Sequence, residues 1–168
     1  MARPDGLRNL CVKVSGRVLW ERRATGKDIG MADEITTIRQ TIYIPAKPDE
    51  VYNALADPEL HAAFTETRVT GEAKVGHSFT ALNGYVTGIY LELEEGKRIV
   101  QQWQTEKWPQ GSKPSIVELL FEAKDGGTEV TLVQYPVSSE YAEPLAKGWF
   151  DFYWTPLQAY FEKKHSNP

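Results

Sequence analysis

The C-terminal segment from Glu140 to Lys164 constrains the fold more than any other part of this chain. Its large apolar residues recur at intervals of three and four, which is the spacing of one face of an α-helix. A helix of about 25 residues is roughly 37 Å long, enough to cross a whole β-sheet. The stripe consists of Leu145, Trp149, Phe152, Tyr153, Leu157, Tyr160 and Phe161. Because such a wide aromatic face has to be buried, the remaining chain must provide an apolar surface of similar size.

Two prolines lie within this helical pattern. Pro144 is near the start, where a missing N–H costs little, but Pro156 removes the hydrogen bond to the Phe152 carbonyl. The apolar spacing continues in phase beyond Pro156. We therefore predict a kink at Pro156 and not the end of the helix.

The segments before this helix predict an antiparallel sheet. Residues 35–44 have strand composition, and Pro48 and Pro58, each followed by acidic residues, mark the starts of two short helices. Residues 67–137 then contain consecutive strand patterns separated by turn signals. Asn83-Gly84 is the most specific signal, because a two-residue type I′ hairpin needs positive φ at both positions.

These surfaces predict an α+β fold. We expect a curved antiparallel sheet of six to seven strands around a long C-terminal helix, with two short helices after strand one that plug one end. A sheet that holds a helix in this way seldom closes fully. A cavity between the sheet and the C-terminal helix is therefore expected.

The composition predicts one cytoplasmic domain. The chain has 168 residues, 41% of them hydrophobic, enough for one core and too few for two. Its single cysteine, Cys11, excludes an internal disulfide and a multi-thiolate metal site, as is usual in a reducing compartment. The net charge of −4 argues against a nucleic-acid partner, and we find neither a membrane-spanning apolar run nor a secretory signal.

The charge is unevenly distributed along the chain. Residues 1–30 carry seven basic and three acidic side chains, whereas the rest carries twelve and twenty. We expect residues 1–30 to be a basic extension, disordered or upstream of a true start at Met31, and residues 31–168 to form the domain. A basic arm for an anionic partner and a targeting peptide are the alternatives for this extension.

Several motifs resemble one known family. Residues 45–55, followed by Asp57-Pro58-Glu59, resemble the opening of the C-terminal domain of the activators of the heat-shock-protein-90 ATPase. The resemblance spans about residues 35 to 164. Further motifs that carry it are Gly76, Phe79, the Asn83-Gly84 hairpin, Gly88, the Arg98–Trp103 strand, the Trp108–Gly111 loop, and Gly148-Trp149 with Tyr153.

The resemblance implies both a fold and a function. These activators belong to the START-like, or SRPBCC (Bet v 1-like), superfamily, whose helix-grip fold places a cavity between a curved sheet and the C-terminal helix. A chaperone-associated protein of the stress response, which stimulates the ATPase of a heat-shock-protein-90 homologue, is therefore implied. The superfamily also contains ligand-binding proteins, cyclases and hydrolases, and the fold alone does not choose among them.

The sequence contains no catalytic constellation. His61, His77 and His165 lack metal-ligand spacing, so we interpret them as satisfied or solvent-facing side chains. The acidic cluster at residues 92–95 is interpreted as a solvated hairpin end. A nucleophile elbow, a phosphate-binding glycine loop and a dinucleotide fingerprint are all missing. We expect no cofactor, no metal and no enzymatic activity.

The predicted cavity is the stronger candidate site. Strand alternation places apolar residues of three consecutive strands on the face that meets the C-terminal helix. Gln101 and Gln134 share this face, so each needs a hydrogen-bond partner from the protein, water or a ligand. In the alternative, a filled core, the two amides bond to each other or to Tyr153. The candidate ligand residues are Phe79, Tyr90, Gln101, Trp103, Leu119, Phe121, Leu132, Gln134, Trp149, Phe152, Tyr153 and Leu157.

Trp108 marks a second candidate site. A tryptophan in a hairpin loop either folds back over the sheet edge or stands exposed as an anchor for a partner protein. Lys107 and Lys113 flank it, so an acidic partner surface would suit an exposed Trp108.

Three functions therefore compete. The leading hypothesis is a non-enzymatic protein that binds a small apolar ligand in the cavity between sheet and helix. The alternative is a co-chaperone that stimulates a heat-shock-protein-90-type chaperone. A cyclase or hydrolase that uses the cavity has the least support from the residues.

Overall fold

The computed structural model describes the backbone of residues 7–14, 17–24 and 34–166, and the side chains of residues 34–166. The strands are β1 (Leu7–Val14), β2 (Arg17–Ala24), β3 (Ile35–Ile44), β4 (Thr70–Gly71), β5 (Ser78–Ala81), β6 (Val86–Glu94), β7 (Arg98–Thr105), β8 (Ser115–Lys124) and β9 (Gly127–Ser138). The helices are α1 (Pro48–Ala56), α2 (Pro58–Thr65), α3 (Ser139–Trp149) and α4 (Thr155–Ser166). All strands form one antiparallel sheet in the order β1-β2-β3-β9-β8-β7-β6-β5-β4.

The seven strands β3 to β9 confirm the predicted sheet of six to seven strands around a long C-terminal helix. β1 and β2 lie in the basic N-terminal segment, where we expected an extension outside the domain. β2 pairs with β3, Val18 opposite Arg39, so these two strands lengthen the sheet at one edge. A domain boundary after residue 30 stays a prediction, because residues 25–33 lie outside the described part of the chain.

The two short helices begin where the prolines predict. Pro48 is the first residue of α1, and the Glu50 carboxylate accepts a hydrogen bond from the Lys47 N–H at 3.0 Å. Pro58 opens α2, and the Asp57 carboxylate accepts hydrogen bonds from the first backbone N–H groups of that helix. Side-chain caps of this kind satisfy N–H groups that have no partner within the helix.

The predicted turn at Asn83-Gly84 is confirmed in its position between two strands and in the positive φ of both residues, but it is wrong in its length. Ala81 pairs with Val86, so that loop has four residues, and Asn83 accepts a hydrogen bond from the Arg68 N–H and donates one to the Arg68 carbonyl. A hairpin loop of only two residues, again with positive φ at both positions, lies at Asp125-Gly126, between β8 and β9.

The C-terminal helix continues through Pro156, as predicted. Its irregularity is a π-helical turn at residues 150–154 between α3 and α4, in which the Thr155 N–H donates to the Phe150 carbonyl. Pro156 has no N–H to donate to the Phe152 carbonyl. The π-helical turn, which is wider than an α-helical turn, therefore replaces the regular i to i−4 hydrogen bonds just before this proline.

Two buried glutamines tie this helix to the sheet. On β3, Gln40 accepts a hydrogen bond from Trp154 Nε1 at 2.7 Å and donates to the Ala146 carbonyl at 2.8 Å. On the neighbouring strand β9, Gln134 accepts one from Trp149 Nε1 at 2.8 Å. Both amides are nearly inaccessible to solvent, so the position of the helix is fixed by these paired polar groups as well as by apolar packing.

One histidine, His61, is buried in the same core, so the solvent-facing alternative is wrong for it, and the satisfied alternative holds for only one of its two ring nitrogens. Its ring stacks on Phe64 with centroids 5.2 Å apart and lies 5.4 Å from the Tyr153 ring. Its Nε2 has no hydrogen-bond partner among residues 34–166. Burial lowers the pKa of His61 to about 4, although a backbone hydrogen bond at Leu55 opposes this shift. The imidazole is therefore neutral at pH 7.

Replacing Gln40 by Leu should destabilise the fold by about 2–4 kcal/mol, because Trp154 Nε1–H would be left buried without an acceptor and the Ala146 carbonyl would lose its bond from the amide. Urea denaturation measures this free energy of unfolding. Thr41→Leu, on the exposed face of the same strand, should change it by less than about 0.5 kcal/mol. Equal stability of the two variants would contradict the structural role of Gln40.

Acid should weaken the fold through His61. Because its pKa in the folded protein, about 4, lies below the ordinary value of 6.5, the unfolded chain binds the proton more tightly. Stability is therefore lost as the pH falls from 6.5 to 4, by about 3 kcal/mol in total. His61→Phe should remove this component from the pH dependence of the unfolding free energy, whereas His77→Phe, at an exposed site, should retain it. An unchanged profile in His61→Phe would refute this assignment.

Candidate functional site

The space between the sheet and the C-terminal helix is almost completely filled. The inward faces of β7, β8 and β9 are buried as the alternation predicted, with Ile99, Val117 and Val130 at most 1% exposed. What remains is an enclosed space of about 10 Å³. It is lined by Leu55, His61, Phe79, Tyr90, Ile99, Gln101, Leu119, Trp149 and Tyr153. A space of this size is too small for an organic ligand.

The polar groups around this enclosed space are neutral at pH 7. Burial raises the pKa of Tyr90 to about 12 and that of Tyr153 further still, whereas it lowers the pKa of His61. The cluster can therefore donate and accept hydrogen bonds, but it offers no ionised base or acid at neutral pH.

Gln134 has protein partners, but not those proposed for a filled core. Besides accepting from Trp149, it donates to Ser115 Oγ at 3.2 Å, and Ser115 in turn donates to the Pro136 carbonyl at 2.6 Å. Neither Gln101 nor Tyr153 takes part in this chain of hydrogen bonds. Gln134 therefore serves to position the helix and does not face the enclosed space.

A larger groove lies beside α3, where the helix meets the end of β7 and the loop between β5 and β6. Its volume is about 410 Å³, and its wall is almost wholly apolar. The aromatic side chains of this wall are Tyr85, Trp103, Trp108, Tyr141, Trp149, Phe152 and Tyr153. We call this site the aromatic groove. Only Lys107 and Glu140 bring charges to it, and both are exposed at its rim.

Three tryptophans form one side of the aromatic groove. The Trp103 and Trp149 rings stack with centroids 5.4 Å apart and planes at 27°, and the Trp108 ring meets Trp103 edge to face at 6.1 Å. Trp108 Nε1 donates to the Lys113 carbonyl at 2.9 Å. Trp108 therefore folds back onto Trp103, as one of the two alternatives expected, although at the end of β7 and not at an edge of the sheet, and it is only partly exposed.

The sequence-predicted ligand residues separate into three groups. Phe79, Tyr90, Gln101 and Leu119 line only the small enclosed space, and Trp149 and Tyr153 line both this space and the groove. Trp103 and Phe152 line the groove alone; Phe152, expected to face the sheet, is 56% exposed. The remaining predicted residues, which are packed in the core away from both spaces, are Phe121, Leu132, Gln134 and Leu157.

The groove also contains residues that sequence reasoning missed. Tyr141 lies four residues before Leu145 and continues the helical stripe, so the spacing could have identified it. Tyr85 follows the loop between β5 and β6 and reaches the groove only through that loop's four-residue geometry. The predicted partner residues Lys107 and Trp108 belong to the same groove, whereas Lys113 lies on the other side of the indole.

The described residues lack two further features. In that part of the chain, no group of three or more His, Cys, Asp or Glu side chains is arranged to hold a metal ion. Among its helices, none combines the length and apolar character needed to cross a bilayer.

The solved structures of known proteins include similar folds. An HSP90 activator from Plasmodium falciparum has a TM-score of 0.66 and 21% identity, covering 75% of this chain and 96% of that one. CalU16 from Micromonospora echinospora has a TM-score of 0.63 and 25% identity, covering 88% of each chain. These similarities agree with the helix-grip architecture.

The sequence comparisons identify the family. The human Activator of 90 kDa heat shock protein ATPase homolog 1 is 30% identical over 125 residues, which are 74% of this chain. This chain matches only 36% of the length of that relative. The family model described as Activator of Hsp90 ATPase homolog 1-like protein matches residues 45–162. This chain therefore belongs to the family of Activator of Hsp90 ATPase homolog 1-like proteins.

Proposed function

We propose that this protein binds a small apolar molecule in the aromatic groove, without acting as an enzyme. The volume of about 410 Å³ is the observation that carries the proposal, because small-molecule sites usually measure about 300–1,000 Å³. The interior space of about 10 Å³ gives no room for a ligand between sheet and helix. The proposed site therefore lies outside this interior space, beside α3 and the end of β7.

The chemistry of the wall favours an uncharged ligand. Lys107 and Glu140 carry opposite charges and lie at the rim, in contact with solvent, so neither gives the groove a buried countercharge. A charged ligand would lose its hydration without compensation. Rigid aromatic rings provide large apolar contact areas and lose little conformational freedom when a ligand binds.

The rigidity of the surrounding framework supports a preformed groove. Trp149, which lines it, is held by the hydrogen bond from its Nε1 to Gln134, and Trp108 by its bond to the Lys113 carbonyl. A wall that is already ordered lowers the cost of binding.

A second function follows from the family. The human relative is named as an activator of the 90 kDa heat shock protein ATPase, and the similar Plasmodium falciparum structure is described as an HSP90 activator. We propose that this protein also acts on such a chaperone in the cytoplasm, through the surface formed by Lys107, Trp108 and Lys113. Two lysines beside a partly exposed indole suit an acidic partner surface.

A larger side chain that fills the groove should weaken ligand binding. Gly148 lines the groove, and a Cβ built there would meet only the Phe152 ring, at 3.8 Å, so Gly148→Leu should extend into the site without a backbone clash. The neutral fluorescent probe 1-aminoanthracene should bind the wild-type protein, and its affinity should fall at least about tenfold in Gly148→Leu.

The matched control is Glu162→Leu, which adds the same side chain on an exposed face of α4 and should leave the affinity unchanged. Circular dichroism checks that both variants are folded. The absence of binding to the wild-type protein, or equal binding by Gly148→Leu, would refute the proposed site.

The chaperone proposal makes a separate prediction. The wild-type protein should raise the ATPase rate of a heat-shock-protein-90 homologue, and Lys107→Glu with Lys113→Glu should raise its half-maximal concentration at least about tenfold. The same double charge change at the exposed residues Lys97 and Lys163 is the control and should have little effect. No change in the ATPase rate at saturating wild-type protein would count against a co-chaperone.

A further inference from the structure

One residue of the aromatic groove has an uncommon backbone conformation. Four non-glycine residues of the described chain have positive φ, in the left-handed region that favours glycine. Three of them are polar and have local reasons: Glu66 ends α2, Asn83 is of a type enriched there, and Asp125 begins a two-residue hairpin turn. Leu82 is the fourth, with a φ of 51°. A bulky apolar side chain makes this conformation costly.

Hydrogen bonds hold the loop around Leu82 in place. The Asn83 N–H donates to the Arg68 carbonyl at 3.1 Å, and the Asn83 side chain accepts from the Arg68 N–H at 2.8 Å. The Leu82 carbonyl accepts from the Tyr85 N–H at 3.2 Å, and the Tyr85 carbonyl accepts from the Glu106 N–H at 2.7 Å. Strained backbone persists where the surrounding contacts over-determine it, so this loop is fixed as a unit.

The position of Leu82 connects this conformation with the aromatic groove. Its partly buried side chain packs against the core, and Leu82 forms part of the groove wall together with Tyr85. The three polar left-handed residues line neither the groove nor the enclosed space. The left-handed residue without a local reason is therefore the one at the groove. Strained backbone clusters at ligand clamps and active sites.

We propose that Leu82 contacts the ligand of the aromatic groove, and that its left-handed backbone is retained because it places this side chain in the binding wall. This inference rests on the proposed function of the groove. It adds a residue that determines affinity and contributes to binding at a cost to stability. Removing the side chain and relieving the backbone together should therefore impair binding more than folding.

Leu82→Gly tests this trade-off. Glycine adopts positive φ readily, so the relieved backbone offsets the lost packing, and the midpoint of urea denaturation should change little. The affinity for 1-aminoanthracene should fall at least about fivefold, because the groove loses an apolar contact. Leu82→Met retains an apolar side chain of similar volume and should bind the probe within about twofold of the wild-type protein.

The matched control is Glu66→Gly. This variant places glycine at the other end of the comparison, an exposed left-handed position at the end of α2 and outside the groove. It should raise the urea midpoint and leave the affinity for 1-aminoanthracene unchanged. Circular dichroism checks that all variants are folded.

Nuclear Overhauser effects supply a readout that a purely structural role would not give. In the complex of the wild-type protein with 1-aminoanthracene, the Leu82 methyl groups should show these effects to the aromatic protons of the probe. The methyl groups of Leu60, a partly exposed residue of α2 outside the groove, should show none and serve as the internal control. These spectra decide the proposal even where Leu82→Gly fails to fold.

The possible failures are distinguishable. Binding by the wild-type protein without Overhauser effects at Leu82, or with equal affinity in Leu82→Gly, would overturn the role of Leu82 and leave the groove as a binding site. Failure of the wild-type protein to bind 1-aminoanthracene would overturn both this inference and the proposed function.

Discussion

The hydrogen bonds between buried glutamines and tryptophans determine how the C-terminal helix sits on the sheet. Apolar packing alone would allow an aromatic stripe this wide to settle in several rotations of similar energy. Gln40 and Gln134 lie on neighbouring strands, and each accepts one indole N–H, from Trp154 and Trp149 respectively. Because an unpaired buried amide is costly, only one rotation of the helix satisfies both.

This rotation also explains where the open space is. With Trp149 and Trp154 bonded to the sheet, the stripe fills the interior, and Phe152 on the π-helical turn is directed outward. The room that an aromatic helix and a curved sheet leave unfilled is then found at the end of β7, beside α3. The groove is thus a consequence of the same hydrogen bonds that close the core.

The sequence could predict the order of elements and most of the core, because hydrophobic period and proline positions are local signals. It could not predict that the cavity is filled, since this depends on which face of the helix meets the sheet. Gln40 shares the even spacing of Ile38, Ile42 and Ile44, so the alternation places it on their inward face, but its partners lie more than 100 residues away in the sequence and have no local signal. Phe152 belonged to the predicted stripe, but the π-helical turn moves it out of phase.

The enclosed space and the aromatic groove differ in their room and in the character of their walls. Around the enclosed space, His61, Tyr90 and Tyr153 are neutral and tightly packed, so acid–base chemistry at neutral pH has no ionised group there. The groove has the opposite character: it has room, and its wall includes Trp108 and Trp149, whose indole N–H groups are already hydrogen-bonded within the protein. Of the two spaces, the groove is therefore the one with room for a small molecule.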